Sequence, residues 1–119
     1  MIYGIGVDIA SASRVEKACE RPGFVARFFS DAEREMFLQH PYRAAANFAA
    51  KEAFAKALGT GIRGFALREV SALRDELGKP YYVFSGAAAA LVAEKGLRAH
   101  LSLSDEGDAV VAMAVLEQP

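Results

Sequence analysis

Cysteine occurs once, acidic and basic residues nearly cancel, and no low-complexity run or linker interrupts the 119 residues. The lone Cys19 excludes an intrachain disulfide, so a secreted scaffold held by bridges is ruled out and a reducing cytoplasm is compatible. A formal net charge of −1 gives no bulk positive field, which removes the usual basis for gripping nucleic acid. The apolar stretch from Ala109 to Leu116 is far short of the ~20 residues a membrane-spanning helix needs. Met1-Ile2-Tyr3-Gly4 lacks the basic segment and apolar run of a signal peptide. A cytoplasmic protein that uses neither nucleic acid nor membrane as a partner is therefore expected, folded as one domain over residues 1–119.

What is present is ordinary for an ordered domain: 53% hydrophobic and 24% charged residues. Ile5, Val7 and Ile9 alternate with Gly4, Gly6 and Asp8, so a strand here carries aliphatics on one face and two glycines beside a carboxylate on the other. Ser13-Arg14-Val15-Glu16 predicts a capped helix running to Arg21-Pro22-Gly23, and Ser30-Asp31-Ala32-Glu33 a second one ending near His40-Pro41. Tyr42 to Leu58 is strongly helical and is followed by Gly59-Thr60-Gly61, whose first glycine suits a left-handed helix end. Strands are predicted at Glu69–Arg74 and Tyr81–Phe84 across a turn-rich connection, then a helix from a Ser85 cap to Glu94, closed by Gly96. Ala99–Ser104 and Ala109–Leu116 flank Asp105-Glu106-Gly107-Asp108 as an antiparallel hairpin. This order implies an α+β domain of antiparallel strands packed with a long central helix. Because Ala109–Leu116 is apolar throughout, both of its faces should be covered, and in so small a domain a second copy is a natural cover.

On the central helix Ala46, Ala50, Phe54, Ala57 and Leu58 form one stripe, and Glu52 lies on the other side with Lys56 one turn on. Such a pair can be a surface i, i+4 contact worth only ~0.2–0.5 kcal/mol. Its neighbours, however, are Ala45, Phe48, Ala49 and Ala55 rather than further charges, which predicts a packed face and a cleft, with the glycine-flanked face of Asp8 as the opposite wall. Two carboxylates from separate elements suit Mg²⁺, which takes oxygen ligands and keeps waters, whereas no cluster has zinc spacing. Asp8 has a plainer alternative as the residue that caps the Ala10-Ser11 turn.

Gly4-Ile5-Gly6-Val7-Asp8-Ile9 at the N-terminus, with Phe48-Ala49-Ala50-Lys51-Glu52-Ala53-Phe54-Ala55-Lys56 and Gly59-Thr60-Gly61 on and after the central helix, resembles the holo-acyl-carrier-protein synthases. The likeness extends through Gly78-Lys79-Pro80 and His100-Leu101-Ser102-Leu103-Ser104. It implies a 4′-phosphopantetheinyl transferase fold, a homotrimer with sites at subunit boundaries, and transfer of phosphopantetheine from coenzyme A to the acyl carrier protein of fatty-acid synthesis. By the same resemblance Asp8 and Glu52 bind Mg²⁺ at the pyrophosphate and Lys56 stands near the phosphate transferred or released; the acceptor serine needs a base, and Glu52, directly or through a metal-held water, is the candidate. Lys51, Arg43, Asn47, Gly59, Thr60 and Gly61 become candidate coenzyme A contacts, and Arg14, Arg21 and Arg27 candidate carrier contacts. From Met1 to Arg43 six basic residues face six acidic ones, so charge alone marks no carrier patch.

Two positions depart from the family pattern. Many relatives have arginine where this chain has Asn47, and Arg43, one turn earlier, is the candidate to reach the same phosphate. Some have histidine where this chain has Asp105, so no catalytic histidine is assigned there and His100 is read as structural. The competing readings are transfer onto polyketide or peptide synthetase carriers, a non-catalytic coenzyme A-binding protein, and a metal-dependent phosphohydrolase.

Overall fold

The computed structural model describes all residues from Met1 to Pro119. The chain runs β1 (Ile2–Ser11), α1 (Ala12–Cys19), α2 (Phe24–Phe28), α3 (Asp31–Gln39), α4 (Arg43–Leu58), a 3₁₀ turn (Leu67–Glu69), β2 (Val70–Arg74), β3 (Pro80–Phe84), α5 (Gly86–Glu94), β4 (Arg98–Glu106) and β5 (Ala109–Glu117). β5 lies between β1 and β4 in one antiparallel sheet, and β2 pairs with β3 in a second. The α+β class, the central helix and the C-terminal hairpin are as the sequence predicts.

α4 passes between the two sheets, which is why its small residues are buried all round: Ala45, Ala49, Ala50, Ala53 and Phe54 are inaccessible. Gly4 and Gly6 allow this. A Cβ on Gly4 would collide with the Ala57 carbonyl oxygen, and one on Gly6 with the Ala53 carbonyl oxygen. The glycine face expected to line an open cleft is thus filled by the α4 backbone, at a distance only glycine permits. On the opposite side, Tyr82 of β3 donates a 2.6 Å hydrogen bond to the Ala50 carbonyl. Gly59 ends α4 with φ of 82°.

The helical segment after β1 differs from expectation. The N-cap of α1 is Ser11, not Ser13, because Asp108 from the β4–β5 turn takes both serine hydroxyls and the Ser13 amide. α2 was not foreseen; it carries Phe24 and Phe28, which with Phe29 surround Phe48 of α4 at ring-centroid distances of 5.9–6.4 Å. This aromatic cluster covers the N-terminal half of the α4 face on which an open cleft was expected. α3 begins as predicted, with a full capping box between Ser30 and Glu33. At α5 the Ser85 side chain makes no cap; the Glu69 carboxylate instead accepts from the Ala87 amide at 3.0 Å.

In β1, Ile5, Val7 and Ile9 point away from α4 and are 66%, 56% and 69% exposed. Their partners Val115, Met113 and Val111 in β5 share that face. Within one chain, therefore, only one face of the apolar β5 strand is covered. No helix is long and apolar enough to cross a membrane.

Candidate functional site

The close approach of β1 to α4 sets Asp8 against the outer edge of the helix. Lys56 donates 3.0 Å hydrogen bonds to the Asp8 carboxylate and to the Val7 carbonyl. Asp8 is largely shielded, whereas Lys56 is half exposed. Glu52 stands one turn before Lys56 and belongs to none of the chain's ion pairs. Partial burial raises the Glu52 carboxyl above the ordinary range, the Asp8 charge pushes it further, and Lys56 partly offsets the shift. Two carboxylates and an ammonium from two elements thus share one accessible edge, as the sequence pattern predicts.

Two expected ligand contacts lie elsewhere. Lys51 is fully buried, and its ammonium bonds Glu33 at 2.5 Å and the Val70 and Leu67 carbonyls at 2.6 and 3.1 Å. Asn47 is equally buried and donates to Glu33 at 2.8 Å and to the Ala72 carbonyl at 2.9 Å. Both side chains face α3 and β2 across the helix from Glu52, so neither reaches a phosphate. Sequence reasoning treated Glu33 as a helix cap alone; nothing local distinguishes a cap that also anchors a buried network. Burial lowers the Lys51 ammonium from its ordinary range and Glu33 opposes the shift. Asn47 also accepts from Arg74, whose guanidinium shares a cavity with Arg43.

Comparison with known proteins decides the family. Residues 4–114 match the model of the 4′-phosphopantetheinyl transferase superfamily. The chain belongs to that superfamily. A holo-[acyl-carrier-protein] synthase of Aromatoleum aromaticum is 49% identical over 99% of each chain. The crystal structure of the synthase from Neisseria meningitidis superposes with a TM-score of 0.90 at 42% identity, covering 99% of this chain and 100% of that one. The Bacillus anthracis synthase, solved in complex with CoA (3′,5′-ADP), gives a TM-score of 0.82 at 33% identity, covering 100% and 99%.

The other residues singled out in the sequence lie at separate places on the chain. Arg14 and Arg21 line one surface cavity together with Lys17, which sequence reasoning passed over although Arg14 and Lys17 are i, i+3 neighbours on α1. Arg27 does not line that cavity; its guanidinium stands over the Phe28 ring, 5.2 Å from the centroid. Gly59 and Thr60 line another cavity with Arg63 and Lys95. Gly61 has φ of 70°. His100 bonds Glu117 at 2.8 Å at the far end of the sheet.

The donor set at Asp8 and Glu52 fits Mg²⁺ by its chemistry. Carboxylate oxygens are the preferred ligands, and no group of three or more His, Cys, Asp or Glu side chains closes a cage. A site with few protein ligands suits an ion that keeps waters and takes substrate phosphate oxygens. Burial first, and then the Asp8 charge, raise the Glu52 carboxyl, and a bound cation would oppose both.

Proposed function

We propose that the chain transfers 4′-phosphopantetheine from coenzyme A to a serine of an apo-acyl carrier protein, giving the holo-carrier and adenosine 3′,5′-bisphosphate. The observation that carries the residue assignment is the Asp8–Lys56 contact at 3.0 Å with the raised Glu52 carboxyl beside it. Family membership and near-complete coverage by holo-acyl-carrier-protein synthases support the reaction itself.

A serine hydroxyl is a weak nucleophile and needs a base. Glu52, directly or through a water, takes its proton. The serine Oγ forms a bond to the β-phosphorus while the bond from that phosphorus to the bridging oxygen breaks, so adenosine 3′,5′-bisphosphate leaves. Lys56, held by Asp8 and the Val7 carbonyl, points its charge at the phosphoryl oxygens as negative charge moves onto the leaving group. Asp8 and Glu52 would hold Mg²⁺, which when bound supplies charge neutralisation at the pyrophosphate. Arg14 and Arg21, with Lys17, form the basic surface that meets an acidic carrier, and Arg27 extends it. The open face of Ile5, Val7 and Ile9 is covered by further copies in a homotrimer.

Incubation with coenzyme A, Mg²⁺ and an apo-carrier, followed by mass spectrometry of the carrier, tests this reading. The carrier gains the mass of one phosphopantetheine arm. Asp8→Asn and Glu52→Gln each lower turnover by about 10²–10⁴-fold with unfolding midpoints unchanged. An unmodified carrier under conditions where a known transferase modifies it would overturn the assignment, and a near-normal rate in either variant would remove that residue from the chemistry.

A further inference from the structure

α1 is eight residues long, and only Val15 of it is buried. A helix this short has little stability of its own. Arg14 and Lys17 of α1, with Arg21 just beyond its end, line one surface cavity together with Glu20, and none of the three cations belongs to any of the chain's four ion pairs. A single buried side chain is a pivot, so the direction in which these cations point depends on a second hold.

That hold comes from Asp108, an exposed residue in the turn between β4 and β5. Its carboxylate accepts from the Ser11 hydroxyl, from the Ser13 hydroxyl at 3.0 Å and from the Ser13 amide at 2.8 Å, while its main-chain carbonyl accepts from the Ala12 amide at 2.8 Å. Donors from three consecutive residues thus converge on one turn residue. Ser11 in turn caps the helix, its Oγ accepting from the Arg14 amide at 3.3 Å. Capping needs only that side chain. The bonds to Asp108 go beyond it and tie the first turn of α1 to the sheet. Ser11 also ends β1, the strand that carries Asp8, so the same junction fixes the basic helix relative to the catalytic edge. Hydrogen bonds from Ser11 and from the Ser13 amide hold the Asp108 carboxyl below its ordinary range, and the Arg14 charge acts in the same direction.

We propose that Asp108 is a positioning residue for carrier recognition: it sets α1 so that Arg14, Lys17 and Arg21 present one basic edge to an acidic partner whose serine reaches Glu52. The proposal rests on the reaction proposed above for the identity of that partner. Two effects of Asp108 oppose each other. As a negative charge near Arg14 it weakens the attraction of an acidic carrier. As an acceptor for α1 it holds the cations where the carrier meets them. An exposed charge is screened by water and salt, so the geometric effect outweighs the electrostatic one. The sign of a substitution's effect therefore separates the two.

The test measures KM for apo-acyl carrier protein and for coenzyme A, and Kd for the apo-carrier alone by calorimetry, over a range of salt concentrations. In the wild type the carrier KM rises with salt. Asp108→Ala raises the carrier KM and Kd by about 3–10-fold, the range for a net hydrogen bond, and leaves the coenzyme A KM unchanged. It also flattens the salt dependence, because fewer cations engage. Asp108→Asn removes the charge but keeps an oxygen for the Ser13 amide, and it retains most of the wild-type affinity. An Asp108→Ala chain that binds the carrier as well as the wild type, or better, would leave only the charge effect. Equal rises in both KM values, or a raised carrier KM with unchanged salt dependence, would make Asp108 a merely structural residue. Each of these results overturns the proposal. Binding is read without coenzyme A, so a chain that holds the carrier in this Asp108-dependent way but transfers nothing refutes the reaction and keeps the positioning role. A wild type that binds no carrier overturns both.

Discussion

At the scale of single residues, the most consequential ion pair for stability lies outside the catalytic edge. Lys51 and Glu33 have no accessible side-chain surface. Removing one member of such a pair leaves the other charged in a low-dielectric interior, at a cost of ~3–5 kcal/mol. The two losses should differ. Without Lys51, Glu33 still accepts from the Ser30 amide, Asn47 and the Ala72 amide. Without Glu33, the Lys51 ammonium keeps only two carbonyls. Glu33→Ala is therefore expected to lower the urea midpoint more than Lys51→Met does, and the double variant to lose less than the two single losses added. Strict additivity would show that the pair is not coupled. Lys51→Met also separates packing from ligand contact: a stability loss with an unchanged KM for coenzyme A follows from its buried position, and a raised KM at full stability would place it back at the phosphate.

Among the elements, the contact between β1 and α4 positions the chemistry. Gly6→Ala drives a methyl group into the Ala53 carbonyl, with the Ala57 amide nitrogen at 2.7 Å. Overpacking of this kind costs ~1–3 kcal/mol. Relief requires β1 to move off the helix, which carries Asp8 away from Lys56, so turnover should fall together with the unfolding midpoint. Gly59→Ala meets no atom within 4 Å and pays only for its φ of 82°, about 1–2 kcal/mol. It should lose stability with less effect on rate, and a Gly6→Ala enzyme with full stability and rate would dissociate the strand's approach from the chemistry. These elements also show how far the sequence can be read. Periodicity and caps disclose α4, α3, β2, β3 and the hairpin because their signals are local. The role of Gly4 and Gly6 was inverted: a glycine face looks alike whether a ligand or a helix backbone approaches it. The Asp108 clasp on Ser11 and the Asn47–Arg74 brace join residues 97 and 27 positions apart, and no local pattern encodes them.

Over the whole molecule, the outer sheet face is the feature a single chain leaves unresolved. Ile5, Val7 and Ile9 stand opposite Val115, Met113 and Val111, and β4 continues the face with His100, Ser102 and Ser104. The β1 and β5 part of this face is contiguous apolar surface, which on a small protein marks a contact with another molecule. The homotrimer proposed above supplies that contact, and its energetics can be probed at Val7, which is 56% exposed within one chain. Full burial of a valine side chain is worth roughly 1.5–3 kcal/mol. Val7→Asp replaces that gain with the desolvation of a carboxylate at an apolar contact, which costs still more. The variant should fold, because the substituted side chain points away from α4, but sediment as a monomer at concentrations where the wild type is trimeric. A far-UV spectrum like that of the wild type separates lost assembly from lost folding. If turnover depends on a neighbouring subunit, the monomer also loses carrier modification, while Asp8 and Lys56 remain in contact on the inner face. A wild-type chain that sediments as a monomer at micromolar concentration would overturn the proposed assembly and leave the apolar face to some other partner.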